Sequence, residues 1–161
     1  MAQNPDPRLS ITSYTGVTRT LDDWMTVFNL ALIVLPDRPE ASNFAPVVER
    51  IFATFGESDV RTVICVPAST SITKRILGSL VDQYLVWCDP DRALVASLGL
   101  ERLPAFVHLR QDTSLVSAAQ GWSPSEWQRC ADQLAKFEHW TSPIVTGPND
   151  PAPTPGWPVA V

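Results

Sequence analysis

The junction around Pro104 constrains the fold more than any other feature of this 161-residue chain. A helical pattern ends at Gly99, and an alternating apolar run begins directly after Pro104. Because proline has no backbone N–H for a sheet ladder, a strand here begins after the proline rather than across it. A second strand-like run follows over residues 115–119, and Gly121 then leads into a helix. The predicted order is helix, strand, strand, helix.

Two uninterrupted apolar runs, residues 30–35 and 60–66, indicate strands that are covered on both faces. The stretch between them carries apolar residues at helical spacing: Val47, Val48, Ile51, Phe52 and Phe55. A further short strand is predicted over residues 84–87, with a helix at residues 93–98. Strands that alternate with helices predict an α/β fold with a central mixed sheet flanked by helices.

The charge of the chain excludes one class of partner. Its net charge is −5, and its lysines and arginines are not clustered, so we expect no nucleic-acid partner. The first ten residues lack the apolar segment of a signal peptide, and no apolar run approaches the length of a membrane span. These observations predict a cytoplasmic protein without a membrane span.

The three cysteines, Cys65, Cys88 and Cys130, fit neither a disulfide framework nor a zinc site, because their number is odd and their spacings are wide. Small buried apolar residues are the simplest interpretation of all three. His108 and His139 lie too far apart in the pattern to pair as ligands, and a lone strand histidine is typically a half-buried structural residue. We therefore expect no metal and no cofactor.

Prolines concentrate at both ends and suggest three segments. Residues 1–18 form an N-terminal arm or outer strand, residues 19–140 form the domain, and residues 141–161 form a proline-rich tail. The tail has no periodic pattern, so we expect it to be extended or disordered. Trp122 and Trp157 are candidate interface anchors, because tryptophan is favoured at binding hot spots.

The order of elements around Pro104 and Gly121 resembles the C-terminal half of the thioredoxin fold. In that family the corresponding proline is cis and faces the redox motif, so the resemblance implies a cis Leu103–Pro104 peptide. Residues 60–106 add a strand, a helix and a strand before this proline. That insertion is similar to the one in peroxiredoxins and in membrane-tethered thioredoxin-like reductases.

Residues 44–51 resemble the helix that follows the thioredoxin active loop, with Pro46 as its kink proline. Counting back from Pro46 places four residues on the Cys-Gly-Pro-Cys motif: Arg38, Pro39, Glu40 and Ala41. A dithiol reaction needs a thiolate and a resolving thiol, and neither Arg38 nor Ala41 supplies one. The resemblance therefore implies that the dithiol reaction is lost, and we predict that the chain is not an enzyme.

The resemblance implies that a groove persists between the former active loop and the proline strand, where the family binds extended peptides by β-augmentation. The residues predicted to line it are Asp37, Arg38, Glu40, Leu103, Pro104 and Trp122. The leading hypothesis is a redox-inactive adaptor, chaperone or subunit that binds a protein partner in this groove. The alternative is a thiol-dependent peroxidase or oxidoreductase that uses Cys65 or Cys88.

A narrower resemblance concerns residues 21–24 and 36–42. These stretches are similar to those of the thioredoxin-like hydrogenase maturation proteins, which lack the dithiol and guard the export signal of a hydrogenase small subunit. The resemblance implies a partner that is an exported precursor or a metalloenzyme subunit.

Overall fold

The computed structural model describes residues 1–159 and contains nine strands within them. The strands are β1 (Ser10–Ser13), β2 (Thr18–Thr20), β3 (Leu30–Val34), β4 (Arg61–Val66), β5 (Leu85–Cys88), β6 (Arg102–Leu103), β7 (Ala105–Leu109), β8 (Leu115–Gln120) and β9 (Trp157–Pro158). The helices are α1 (Leu21–Met25), a 3₁₀ helix (Pro39–Phe44), α2 (Ala45–Phe55), α3 (Thr70–Leu77), α4 (Leu80–Gln83), α5 (Ala93–Ser97) and α6 (Pro124–Glu138).

Seven of the strands form one mixed sheet in the order β2-β1-β5-β4-β3-β7-β8. Strands β3, β4 and β5 are parallel, whereas β7 is antiparallel to both β3 and β8. The segment from α3 to α5 is inserted between β4 and the proline strand. The predicted α/β fold, with a mixed sheet flanked by helices and an extra αβ insertion, is therefore confirmed.

Strand β3 is an interior strand of this sheet, between β4 and β7, and all five of its residues are buried. Helices α2, α3, α4 and α6 cover one face of the sheet, and helices α1 and α5 cover the other. Burying each leucine, isoleucine or valine of the strand contributes about 1.5–3 kcal/mol. The uninterrupted apolar run at residues 30–35 thus reflects two cores that meet at one strand.

Two local predictions concern the Leu103–Pro104 peptide and the N-terminal segment. The Leu103–Pro104 peptide is cis, as predicted. Within residues 1–18, predicted as an N-terminal arm or outer strand, the chain forms β1 and the turn of the β1–β2 hairpin. Gly16 makes this turn because its φ of 92° lies in the left-handed region that favours glycine.

A buried polar chain lies at the end of the sheet where β3 begins. His108 on β7 is fully buried, and its Nε2 lies 3.0 Å from Asn29 Oδ1. Asn29 Nδ2 in turn donates to Glu138 Oε1 at 2.6 Å, so the Asn29 oxygen faces the histidine and Nε2 carries the proton. Burial and the nearby charge of Arg110 lower the pKa of His108 to about 4. The histidine is therefore neutral at pH 7.

None of the helices within residues 1–159 is long and apolar enough to cross a membrane. No group of three or more His, Cys, Asp or Glu side chains in the same residues is arranged to hold a metal ion.

Candidate functional site

One edge of the sheet gathers the candidate site residues. Because β3, β4 and β5 are parallel, their carboxyl ends meet at this edge. Strand β7 runs the opposite way and pairs Ala105 with Val34, so Pro104 lies at the same edge. In α/β sheets, ligands bind beyond the carboxyl ends of the parallel strands. A ligand-binding site is therefore expected at this edge.

The turn after β3 carries Arg38 and Ala41, the residues on the two cysteine positions of the motif. Ala41 is fully buried. Arg38 Nε lies 3.2 Å from Glu40 Oε2, and its guanidinium carbon lies 4.8 Å from the centre of the Trp157 ring. A backbone hydrogen bond at Glu40 and the hydrogen bond from Arg38 lower the pKa of Glu40. The first cysteine position of the motif is thus occupied by a charged arginine that stacks on the Trp157 ring.

An ion pair connects this turn to the turn after β5. Arg92 Nη2 lies 2.9 Å from Asp37 Oδ2. The backbone N–H of Arg92 donates to the carbonyl of Asp89 at 3.0 Å, so the arginine is held by the end of β5. The two turns therefore share one polar network along the edge of the sheet.

A pocket of about 410 Å³ lies beside the end of β5. Its lining residues are Ser10, Thr12, Ser69, Thr70, Cys88, Asp89, Pro90, Asp91 and Ala93. The Cys88 Sγ lies 3.6 Å from Oγ1 of Thr73, a residue that is itself fully buried on α3. Burial raises the pKa of the Cys88 thiol, and the hydrogen bond with Thr73 acts in the opposite direction.

Asp89 lines the pocket and hydrogen-bonds to the backbone of helix α5. Its Oδ2 accepts hydrogen bonds from the backbone N–H groups of Leu94 (3.0 Å) and Val95 (3.2 Å), in the first turn of α5. Burial raises the pKa of Asp89, and these backbone hydrogen bonds oppose the shift. The carboxylate therefore fixes the start of α5 relative to the end of β5.

The other two cysteines lie away from the pocket. Cys65 is fully buried opposite Trp87 in the parallel register of β4 and β5, and burial raises its pKa well above the ordinary value. Cys88 is the residue after Trp87, so its side chain points to the other face of the sheet. A Cys65–Cys88 disulfide would have to cross the sheet, and all three cysteines, Cys130 included, are free.

The proline-rich tail lies along the predicted groove. Strand β9 pairs Trp157 with Leu103, the residue before the cis proline. Trp122 and Thr154 exchange two backbone hydrogen bonds of 2.8 and 3.0 Å, and the Trp122 indole Nε1 donates to the Pro151 carbonyl at 2.8 Å. The Trp122 side chain is only 1% exposed, so it lies beneath the tail.

Of the six predicted groove residues, Arg38, Leu103 and Trp122 contact the tail. Asp37 pairs with Arg92, Glu40 pairs with Arg38, and Pro104 directly precedes β7 at the same edge of the sheet. Their role in binding a protein partner stays a prediction, as do the partner itself and the cytoplasmic location. Sequence reasoning missed Thr73, Arg92 and the position of the tail. One signal was available for the tail, namely the glycine and tryptophan at residues 156–157 among the prolines.

No protein-family model matches the chain, and no curated protein matches it in sequence. Solved structures do match. DsbF of Mycobacterium tuberculosis is 17% identical, with a TM-score of 0.65 over 80% of this chain and 96% of that one. A secreted disulfide oxidoreductase of M. tuberculosis, homologous to E. coli DsbE, is 16% identical, with a TM-score of 0.58 over 72% and 85%. Peroxiredoxin Q of Xanthomonas campestris is 12% identical, with a TM-score of 0.64 over 81% and 90%.

The prediction that the chain is not an enzyme is contradicted, because the solved structures that it resembles include a disulfide oxidoreductase and a peroxiredoxin. The prediction gave most weight to the missing dithiol at Arg38 and Ala41 and left Cys88, which lies at the same edge of the sheet, as the alternative. The adaptor and chaperone roles, and the resemblance to hydrogenase maturation proteins, receive no support from the comparisons. At these sequence identities the likeness shows the fold alone, and this fold is thioredoxin-like.

Proposed function

We propose that this protein is a thiol-dependent peroxidase with Cys88 as its reacting residue. The observation that carries the proposal is the position of this thiol in a pocket at the carboxyl edge of the sheet. Cys88 is 7% exposed, against 0% for Cys65 and 1% for Cys130. The peroxiredoxins and disulfide oxidoreductases among the structural neighbours support thiol chemistry on this fold.

The small exposure of Cys88 favours a small substrate. A disulfide on another protein would have to bring its own sulfur to a side chain that is 93% covered, whereas a hydroperoxide fits a pocket of about 410 Å³. The hydroxyls of Ser69 and Thr70 in the pocket lining can hydrogen-bond to peroxide oxygens. A hydroperoxide of low molecular weight is therefore the substrate class that the site fits.

The Cys88 thiolate attacks one peroxide oxygen, the S–O bond forms, the O–O bond breaks, and the leaving oxygen takes up a proton as an alcohol or water. Cys88 becomes a sulfenic acid, a two-electron oxidation of the sulfur. Because Cys65 is on the other face of the sheet, the reductant is an external thiol. One thiol condenses with the sulfenic acid and releases water, and a second one frees Cys88 as the thiol and leaves as a disulfide.

Hydrogen peroxide is expected to convert Cys88 to a sulfenic acid in the folded protein, and Cys88→Ser should abolish that product. The raised pKa means that only a small fraction of Cys88 is thiolate at neutral pH, so the rate should increase about tenfold per pH unit below the pKa. Trapping of the sulfenic acid with dimedone, followed by peptide mass spectrometry, measures the rate at each site.

The matched controls are Cys65→Ser and Cys130→Ser, which remove thiols that lie outside the pocket. Both variants should retain the wild-type rate at Cys88. The proposal fails if peroxide modifies Cys65 or Cys130 first. It also fails if Cys88 is modified only after the protein is unfolded in urea.

Replacement of Thr73 by valine should slow the oxidation of Cys88 about tenfold. Valine preserves the shape of the buried side chain but removes the hydroxyl 3.6 Å from the sulfur, and a hydrogen bond to a charged group contributes about 1.5–3 kcal/mol. Thr73→Ser keeps the hydroxyl and should restore most of the rate. Equal rates for the valine and serine variants would show that Thr73 does not stabilise the thiolate.

A further inference from the structure

The pocket around Cys88 is lined by two carboxylates and, among residues 1–159, by no positively charged side chain. Asp91 is exposed, and it forms no ion pair with any other residue within this range. Asp89 is buried, and its Oδ2 accepts two backbone N–H groups of α5. The remaining polar groups of the lining are uncharged hydroxyls, those of Ser10, Thr12, Ser69 and Thr70. The side chains of the pocket therefore carry a negative charge.

Positive charges near the pocket do not cancel the two carboxylates. Arg92 follows Asp91 in the chain, but its guanidinium lies 2.9 Å from the carboxylate of Asp37 and does not line the pocket. Helix α3 begins at the pocket, and the N-terminus of a helix carries about half a positive charge. The first turn of α5 contributes at most a similar amount and is already bound to Asp89. Two full negative charges exceed these partial charges, so the pocket attracts cations.

We propose that the external thiol that regenerates Cys88 is an aminothiol, a small thiol with a positively charged amino group. This inference rests on the proposed peroxidase function, because it names the class of reductant that this function requires. A charged pocket raises the local concentration of molecules of opposite charge and lowers that of molecules with the same charge. Thiols that carry carboxylate or phosphate groups are therefore poor reductants of Cys88.

The amino group acts in both steps of the regeneration. In the first step, the aminothiol thiolate attacks the sulfenic acid sulfur of Cys88, an S–S bond forms, the S–O bond breaks, and the leaving oxygen takes up a proton as water. The mixed disulfide holds the ammonium group in the pocket with Asp89 and Asp91. In the second step, another aminothiol attacks the sulfur of the first, and Cys88 leaves as the thiolate and takes up a proton. The two aminothiols thus supply two electrons and leave as their disulfide.

Three methanethiosulfonate reagents test this inference without peroxide. The 2-aminoethyl reagent is a cation, and it converts Cys88 into the same mixed disulfide that the aminothiol cysteamine would form. The methyl reagent is neutral, and the 2-sulfonatoethyl reagent is an anion. Each rate is measured at Cys88 of the wild-type protein in dilute buffer by peptide mass spectrometry, and is divided by the rate of the same reagent with free 2-mercaptoethanol. The cation should react about tenfold faster than the anion, because the charges of both carboxylates act on the pocket that holds the sulfur.

Asp91→Asn should lower this ratio about threefold, since the variant removes one of the two charges of the pocket. The Asp91 side chain is exposed, so we expect the variant to fold. Glu57→Gln is the matched control, because it removes the same charge from an exposed side chain in the turn between α2 and β4, at the opposite end of the sheet. This variant should keep the wild-type ratio. Sodium chloride at about 1 M should bring the wild-type ratio close to one, because the Debye length falls to about 3 Å.

Equal normalised rates for the cation and the anion would overturn the inference, as would a lack of reaction of Cys88 with all three reagents in the folded protein. Equal effects of Asp91→Asn and Glu57→Gln would also overturn it, because the selectivity would then come from the net charge of the chain. Dimedone trapping tests the peroxidase function separately. Selectivity for the cation without any sulfenic acid at Cys88 would contradict that function, and the aminothiol would then have no role as its reductant.

Discussion

Replacement of Trp122 by alanine should lower the free energy of unfolding by about 3–5 kcal/mol, the usual cost of removing a large aromatic side chain from a core. The side chain is 1% exposed, and its ring centre lies 5.1 Å from that of Trp127 and 6.0 Å from that of Phe44. The substitution also removes the indole N–H donated to the Pro151 carbonyl. Urea unfolding followed by far-ultraviolet circular dichroism measures the change.

Trp140 provides a matched control for this prediction. It is 40% exposed, and its indole Nε1 donates to the Thr54 carbonyl at 2.8 Å. Trp140→Ala should therefore cost about 1 kcal/mol, the net contribution of one hydrogen bond. Equal losses for the two alanine variants would show that the Trp122 ring is not part of the core. Trp122→Phe should recover most of the loss, since it removes the donor but keeps a ring.

Acidification from pH 6.5 to pH 4 should destabilise the protein through His108 by about 3 kcal/mol. The folded-state pKa of His108 is about 4, below the ordinary value of 6.5 that the unfolded chain restores. The unfolded state therefore binds the proton first. The contribution is fully present above pH 6.5 and is lost as the pH falls to 4.

The variant His108→Gln separates this effect from the titration of carboxylates. Glutamine can still donate to Asn29 Oδ1 but does not titrate, so the stability of the variant should fall less between pH 6.5 and pH 4. The difference between the two urea-unfolding curves, measured at each pH, gives the contribution of His108. Identical pH dependences would mean that the pKa of His108 is the same in the folded and unfolded states.

Local signals predicted most of the fold. The apolar run at residues 30–35 became the buried strand β3, because a strand with two covered faces needs no alternation of polar and apolar residues. Pro104 directly precedes β7 and Gly121 directly follows β8, and these two strands pair as expected. Each of these features is encoded within about ten residues of sequence, which is why a single sequence reveals them.

The candidate site depended on contacts between distant residues. Thr73 contacts Cys88 because α3 packs on the face of the sheet to which the Cys88 side chain points. No local sequence pattern encodes that contact. The prolines of the tail correctly indicate a segment without a helix. They do not indicate that Gly156 fits against Leu103, since that contact joins residues more than fifty positions apart.

The Asp37–Arg92 ion pair lies between the thiol pocket and the groove, and solvent reaches both of its side chains, which are 38% and 29% exposed. Dissolved ions screen such a pair, with a Debye length of about 8 Å at physiological ionic strength and about 3 Å at 1 M salt. The electrostatic attraction between Asp37 and Arg92, which connects the two turns, is therefore stronger at low than at high salt concentration. We therefore expect the salt concentration to affect how firmly the turn after β3 is held against the turn after β5.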